Sequence, residues 1–272
     1  MNVAEALGSK PAQILKALEY LGRTDPKAAD RLHRLLREID NRLARDRLSK
    51  YYPDETTEWR GETFHARHLY PKHIEFFEAG AEYRERCAMA ANRVGKTEGM
   101  GGYETAIHLT GQYPEWWPGR KFNRPIRAWA AGKTNETTRD IIQSKMLGDV
   151  LGSGASKRVA GTGLIPGDRL GTITWKQGVA DLVDTIKVRH ISGGWSTLGL
   201  KSYQQGRGSF EGTTQHVIWL DEEPPLAVYS ECLIRTATVN GIVMLTFTPL
   251  EGMSETVLQF MPGAHAELAN VV

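Results

Sequence analysis

His216-Val217-Ile218-Trp219-Leu220-Asp221-Glu222-Glu223-Pro224 is the stretch on which the fold turns. Its four consecutive apolar residues suit a strand buried on both faces, as a strand inside a parallel sheet must be. The strand runs out into acids, and in open α/β sheets ligands bind in the crevice beyond the carboxyl ends of the strands. Asp221 is thereby placed to hold the shell of a magnesium ion. Glu222 is placed to polarise a water for in-line attack on a phosphorus. Glu223 reads either as a supporting acid or as the partner of a neighbouring loop. The plain alternative is three acids on a surface turn.

About 125 residues upstream, a second short apolar run, Cys87 to Ala91, leads into Ala90-Ala91-Asn92-Arg93-Val94-Gly95-Lys96-Thr97 and then a helix from about Lys96 to Leu109. A strand, a loop and Gly-Lys-Thr opening a helix are what a triphosphate needs. Backbone amides of the loop and helix start point at the phosphates, where the helix dipole favours negative charge. Gly95 permits close backbone approach, Lys96 supplies a charge that follows the γ-phosphate, and the Thr97 hydroxyl is a magnesium ligand. Ala90 stands where this loop usually opens with glycine. A second Gly-Lys-Thr, Gly132-Lys133-Thr134, also follows a strand (Ile126 to Ala131) and serves as an internal control. It reads as a strand-to-helix turn with Thr134 or Asn135 as the cap of a helix ending near Leu147.

Downstream, the run Ile242 to Phe247 ends in Thr246-Phe247-Thr248-Pro249. Thr246 and Thr248 read either as hydroxyls that sense the γ-phosphate through water and pass the change on, or as a proline-terminated strand edge. Thr172–Trp175, Thr185–Ile191 and Thr197–Ser202 are further strands, and the glycine-rich stretch 148–167 reads as a mobile loop. Strands alternating with helices predict an α/β fold of the P-loop NTPase type (ASCE/RecA-like), a mostly parallel sheet flanked by helices.

Ahead of it lies a small N-terminal helical region. Pro11 to Leu21 is a short helix. Thr24-Asp25-Pro26 is a cap with proline in the first turn, and Leu32, Leu35, Leu36, Ile39, Leu43 and Leu48 then recur at helical spacing. Residues 51–65 are turn-rich and read as a linker, so the expected division is 1–60 for helices and linker and 61–272 for the nucleotide domain.

The composition fits: 272 residues, 40% hydrophobic and 24% charged, with a formal net charge of +2. No run reaches the roughly 20 apolar residues of a membrane span, and the N-terminus lacks a signal-peptide core. Cys87 and Cys232 have neither disulfide-framework nor zinc spacing. Residues 1–50 hold eleven Lys/Arg against seven Asp/Glu; that excess reads as a solvated helix face or one that meets phosphate backbones.

Taken together, Asn92 to Thr97, Ile218 to Pro224, Thr246 to Pro249 and Ser202-Tyr203-Gln204-Gln205-Gly206-Arg207-Gly208-Ser209-Phe210-Glu211-Gly212 resemble the ATPase part of the large terminases of tailed bacteriophages. Those motors package DNA into procapsids. The likeness spans roughly residues 65–255. It implies ATP as substrate with Mg²⁺, and an Asp-Glu pair as the Walker B acids. It implies that Ala91, Asn92, Arg93, Val94, Gly95, Lys96 and Thr97 bind the nucleotide, with Arg93 contacting the phosphates or sensing their hydrolysis. It also implies an arginine acting in trans, for which Arg207 is the first candidate and Arg139 the second; Arg207 reads equally as a solvated loop residue. An aromatic and a glutamine upstream of the loop commonly hold the adenine in this family. Here Tyr70 and His73 occupy that place, Tyr70 either stacking on the base or lying in the core.

The expected partners are double-stranded DNA, the portal protein, the small terminase subunit and further copies in a ring, with no membrane. The expected location is the host bacterial cytoplasm and, transiently, the procapsid portal. The resemblance also implies a C-terminal nuclease domain; with Val272 following soon after the coupling motif, the sequence reads either as a piece of a longer protein or as a motor whose nuclease lies elsewhere, and no nuclease activity is expected of these residues. A helicase-type ATPase and a slow, nucleotide-regulated assembly module are the competing readings.

Overall fold

A computed structural model of the chain describes residues 20–43, 46–250 and 252–261. Most of the helix expected at Pro11–Leu21 lies outside them. The helix α1 (Pro26–Leu43) starts as its sequence dictates, with the Asp25 carboxylate accepting the Ala28 amide at 3.0 Å.

The strands, in chain order, are β1 (Thr57–Trp59), β2 (Glu62–Phe64), β3 (Glu85–Met89), β4 (Arg127–Gly132), β5 (Val150–Leu151), β6 (Arg158–Val159), β7 (Leu170–Trp175), β8 (Val183–Arg189), β9 (Trp195–Ser202), β10 (Val217–Asp221) and β11 (Ile242–Phe247). Seven form the central sheet in the order β3-β11-β10-β4-β9-β8-β7. The first five are parallel; β8 and β7 extend the sheet antiparallel. The loop strand β3 and the acid-bearing β10 are therefore separated by β11, whose Thr-Phe-Thr-Pro end is delivered between them.

Alternation along β10 sends Val217 and Trp219 into one core cluster and Ile218 and Leu220 into the other. The first cluster packs under the helix that follows the loop, α-helical over Tyr103–Thr110 (α3) after π-type turns over Lys96–Gly102. The second packs under α5 (Leu226–Ala237), with Val228 and Cys232 at its centre. Side chains of this size contribute about 1.5–3 kcal/mol each on full burial, which is why an apolar-on-both-faces strand has only one place to go. Two further helices are α2 (Pro71–Glu82), ahead of β3, and the irregular α4 after β4, which runs through Asn135–Thr137, Thr138–Gln143 and Ser144–Leu147.

Two stretches differ from expectation. Residues 51–65 hold the β1–β2 hairpin, and the Tyr51-Tyr52 pair at their start packs against the core instead of linking two bodies. Tyr51 donates to Glu98, which also pairs with Arg47 at 2.9 Å and Lys145 at 2.6 Å. The stretch 148–167, expected as a mobile loop, carries the β5–β6 hairpin and buries Leu164 and Ile165 completely. Glycines there serve tight turns, so their number marks the path of the chain and not its freedom.

A buried ion pair ties the edge strand to the helix behind the loop. Arg86 of β3 meets Glu104 of α3 through two bonds of 2.7 and 3.1 Å, and His108, one turn on, reaches the same carboxylate at 3.1 Å. Burial pushes the Glu104 carboxyl up, but Arg86 and the His108 bond outweigh it and hold the group below its ordinary value.

Candidate nucleotide-binding site

The loop between β3 and the π turns folds around two left-handed residues, Arg93 (φ 64°) and Gly95 (φ 81°). Gly95 adopts this freely; Arg93 does so at a cost of about 1–2 kcal/mol, and such cost persists where the surroundings impose the shape. Gly95 also sits against His73, whose ring would be 3.1 Å from an added Cβ. Lys96 is buried, and its ammonium donates to the carbonyls of Ala90 (2.8 Å) and Ala91 (2.6 Å) and to the Thr248 hydroxyl (3.0 Å). All three of its donors are used inside the protein, two on the loop and one on the residue after β11, so a phosphate oxygen would exchange for one of them. Thr248 can donate in turn to the Ala90 carbonyl or to Asn92 Oδ1.

Opposite the loop, β10 brings Asp221 to Thr97. The Thr97 hydroxyl donates to Asp221 Oδ1 at 3.0 Å, and the Thr246 hydroxyl donates to the same oxygen at 2.8 Å. Thr246 accepts the Trp219 indole N–H at 2.7 Å. An indole N–H can only donate, so this bond occupies a lone pair of the Thr246 oxygen and leaves its proton for Asp221. Trp219 read from sequence as core alone; the geometry makes it the fixed end of a bond chain that reaches the acid. Room for it comes from Gly101, where an added Cβ would lie 2.0 Å from the indole nitrogen. Burial raises the Asp221 carboxyl to about 7, against the lowering effect of its two hydroxyl bonds; an ionised form there calls for a cation.

Glu222 follows in the left-handed region (φ 63°), exposed, with its amide bonded to the Thr246 carbonyl at 3.0 Å. The carbonyls of Asp221 and Glu222 are held by the hydroxyl of Tyr203, at 2.8 and 3.1 Å. Tyr203 is another residue to which sequence reading assigned no role, since its contact joins positions 18 residues apart. Glu223 turns away and accepts from Ser254, the loop-partner alternative.

The structure places the remaining candidates as follows. Tyr70 is half-buried against His73, with ring centroids 5.1 Å apart, and edge-on to Tyr52 at 5.7 Å. His73, expected at an adenine edge, has Nε2 at 2.9 Å from the Val94 carbonyl and Nδ1 at 2.7 Å from the Tyr52 hydroxyl. With both nitrogens engaged inside the protein, the ring braces the loop from behind; burial lowers its pKa, against the raising effect of the Val94 carbonyl. Arg207 is not a free guanidinium: Nε and Nη2 lie 3.0 and 2.9 Å from Glu231 of α5 in the same chain. Arg139 pairs with the adjacent Asp140 at 2.7 Å on the surface.

The second Gly-Lys-Thr provides the contrast. Thr134 caps its helix, accepting the Thr137 amide at 3.1 Å while the Thr137 hydroxyl accepts the Thr134 amide at 2.9 Å. Those donors are spent on the chain itself. At Gly95 no side chain caps the helix start, so its first amides are not spent on a side-chain cap, and Lys96, Thr97 and Asp221 stand close by.

A family profile described as the N-terminal part of the T4likevirus-type terminase large subunit matches residues 87–269. The large terminase subunit of Salmonella phage P22 is 38% identical over 211 residues, covering 71% of this chain and 41% of that protein. The chain thus spans about two fifths of that relative's length. Among solved structures, the large terminase ATPase domain of Thermus phage P74-26 aligns with a TM-score of 0.45 at 16% identity, over 66% of both chains. The large terminase of a thermophilic bacteriophage in complex with ADP aligns with 0.41 at 14% identity, over 65% of this chain and 37% of that one. With the profile running from the loop strand through both acids and beyond the Thr-Pro strand, the chain belongs to the terminase large subunit family, T4likevirus-type, N-terminal part.

Proposed function

We propose that this chain is the ATP-hydrolysing part of a large terminase and that hydrolysis drives double-stranded DNA into a viral procapsid. The observation that carries the reading is the contrast between the two Gly-Lys-Thr segments: one start is capped by its own hydroxyls, the other faces Asp221 across a 3.0 Å bond from Thr97.

In this reading the amides of residues 91–97 bind the phosphates, and Lys96 leaves its loop carbonyls to follow the γ-phosphate. Arg93, exposed at the loop tip, contacts the same phosphates. Magnesium fits the donor set, because Thr97 and Asp221 offer two hard oxygens and such an ion takes the rest from phosphate and water. When bound it supplies neutralisation of the phosphate charge. Glu222 takes the proton of the attacking water. Thr246 and Thr248 couple the site to the rest of the motor, since Thr246 touches Asp221 and Thr248 touches Lys96. Tyr70 flanks the nucleotide and His73 positions the loop. Arg207 acts in trans only by exchanging Glu231 for a neighbour's phosphate.

The assembly partners are the portal, the small subunit and further copies in a ring at the procapsid, in the host bacterial cytoplasm. The nucleotide domain is drawn from about residue 61 onward, with the helices before it as an accessory region.

Phosphate release from ATP by the 272-residue chain tests the reading. Release is expected with Mg²⁺ and is lost when EDTA removes it. Failure to release phosphate with Mg²⁺ and duplex DNA both present would overturn it.

A further inference from the structure

At the amino-terminal ends of the parallel strands, opposite the nucleotide loop, the segment 119–127 holds Arg120, Lys121, Arg124 and Arg127 with no carboxylate among them. The β8–β9 hairpin lies beside it, its turn packed so closely that a Cβ on Gly194 would be 2.5 Å from Pro125. Register aligns Arg127 of β4 with Thr197 of β9, and Thr197 with Lys187 of β8; Arg189 stands opposite Trp195. Side chains two apart share a face, so Lys187 and Arg189 project with Arg127 and Trp195. The helix that covers this side, α5, packs on β10 and β11, and beyond it Lys187, Arg189 and Trp195 are exposed on β8 and β9.

Lys121, Arg124, Arg127, Lys187 and Arg189 are exposed. Among the described residues none of the five has a carboxylate partner. Neutral groups hold three of them in place: Lys187 bonds Thr197 at 2.8 Å, Arg127 bonds Thr214 at 2.5 Å, and Arg189 lies 5.9 Å from the Trp195 ring. Their charge is therefore fixed in position but not cancelled. Strands about 4.8 Å apart put Arg127 and Lys187 about 10 Å apart, and Lys187 and Arg189 are about 7 Å apart along one strand. One small anion can touch two such groups but not five. A duplex, with one charge per roughly 1.7 Å of axis, can meet them all.

We propose that this face, Lys121, Arg124, Arg127, Lys187 and Arg189 with Trp195 at its edge, holds the phosphate backbone of duplex DNA. The inference rests on the reading of the chain as part of a DNA-packaging motor, and it concerns a surface at the other end of the sheet from the nucleotide. Contacts of this kind position without reading sequence.

Fluorescence anisotropy of a mixed-sequence duplex of about 30 bp, titrated with the 272-residue chain at about 50 to 200 mM salt, tests it. Five neutralised phosphates predict a slope of log K against log salt of about −4 to −5. Arg124→Ala/Lys187→Ala/Arg189→Ala should make that slope shallower by about 2 to 3 and weaken low-salt binding by about tenfold or more. Each single substitution should remove about one unit of slope. ATP hydrolysis without DNA should be unchanged in all of them, which also reports folding. Wild-type affinity and slope in the triple variant would overturn the proposal. So would a chain that binds anionic phospholipid vesicles through these residues and ignores the duplex. If the wild type releases no phosphate from ATP yet its duplex binding depends on these cations, the nucleotide reading falls and this one stands.

Discussion

Glu222→Gln is expected to lower steady-state ATP turnover by about 10²–10⁴-fold while ATP still binds. The substitution keeps the size of the side chain and removes its capacity to accept a proton. The backbone holds either residue equally, since residue 222 is fixed in the left-handed region by its amide bond to the Thr246 carbonyl and by Tyr203 on the carbonyls of 221 and 222. Lys96, Thr97 and Asp221 keep their contacts, so binding and catalysis should separate. Phosphate release and equilibrium ATP binding, measured on the same preparation, check the split. Unchanged turnover would remove Glu222 from the mechanism.

Glu104→Ala should be the most damaging single change away from the nucleotide. Arg86 is 5% exposed and Glu104 wholly buried, so the substitution strands a guanidinium in the core and leaves the His108 N–H without its acceptor. Breaking a buried pair in this way costs about 3–5 kcal/mol, which for a domain of this size lowers the melting temperature on the order of 10 °C. The pair joins β3 to α3, the two elements that bracket the loop, and its loss should weaken ATP binding as well. Thermal unfolding of the variant beside wild type is the check; a fall of under about 1 kcal/mol would mean that the surroundings relax around Arg86.

How far the sequence reveals this arrangement depends on the range of the contacts concerned. The strand at Val217–Asp221 and the loop at residues 90–97 are legible because their signals are local: an apolar run that only a covered sheet can bury, and a Gly-Lys-Thr opening a helix. The other strands of the central sheet are legible too, but not their direction. Whether β8 runs with or against β9 is decided by the short turn at 190–194, where Gly193 is left-handed (φ 101°), and Ser192-Gly193-Gly194 was the one available hint of a hairpin. Residues 51–65 suggested a linker through Pro53 and Gly61, while Tyr51 and Tyr52 bury against residues that the chain reaches some 50 positions later. The support around the candidate loop at residues 90–97 was invisible for the same reason. His73 braces Val94, Tyr203 holds Asp221, and Trp219 meets Thr246, pairs separated by 21, 18 and 27 positions. Periodicity can place each of these residues in the core, but it cannot show which polar atom meets which.

The supporting residues also separate the two candidate loops more firmly than the tripeptide itself. Gly132-Lys133-Thr134 has the same three residues after a strand, yet its helix start is closed by Thr134 and Thr137. Sequence similarity at the level of a motif says which residues are present; the hydrogen-bond accounting says which donors are still available to a ligand.

The measurement that bears most directly on the whole is an ATP titration of the chain with Mg²⁺ present, wild type beside Lys96→Ala, followed by calorimetry. Saturable binding of one ATP per chain is expected for wild type, weakened by about tenfold or more without the ammonium, in line with about 1.5–3 kcal/mol for a hydrogen bond to a charged group. Equal affinity in the two proteins would contradict the assignment of the loop at residues 90–97 as the nucleotide site.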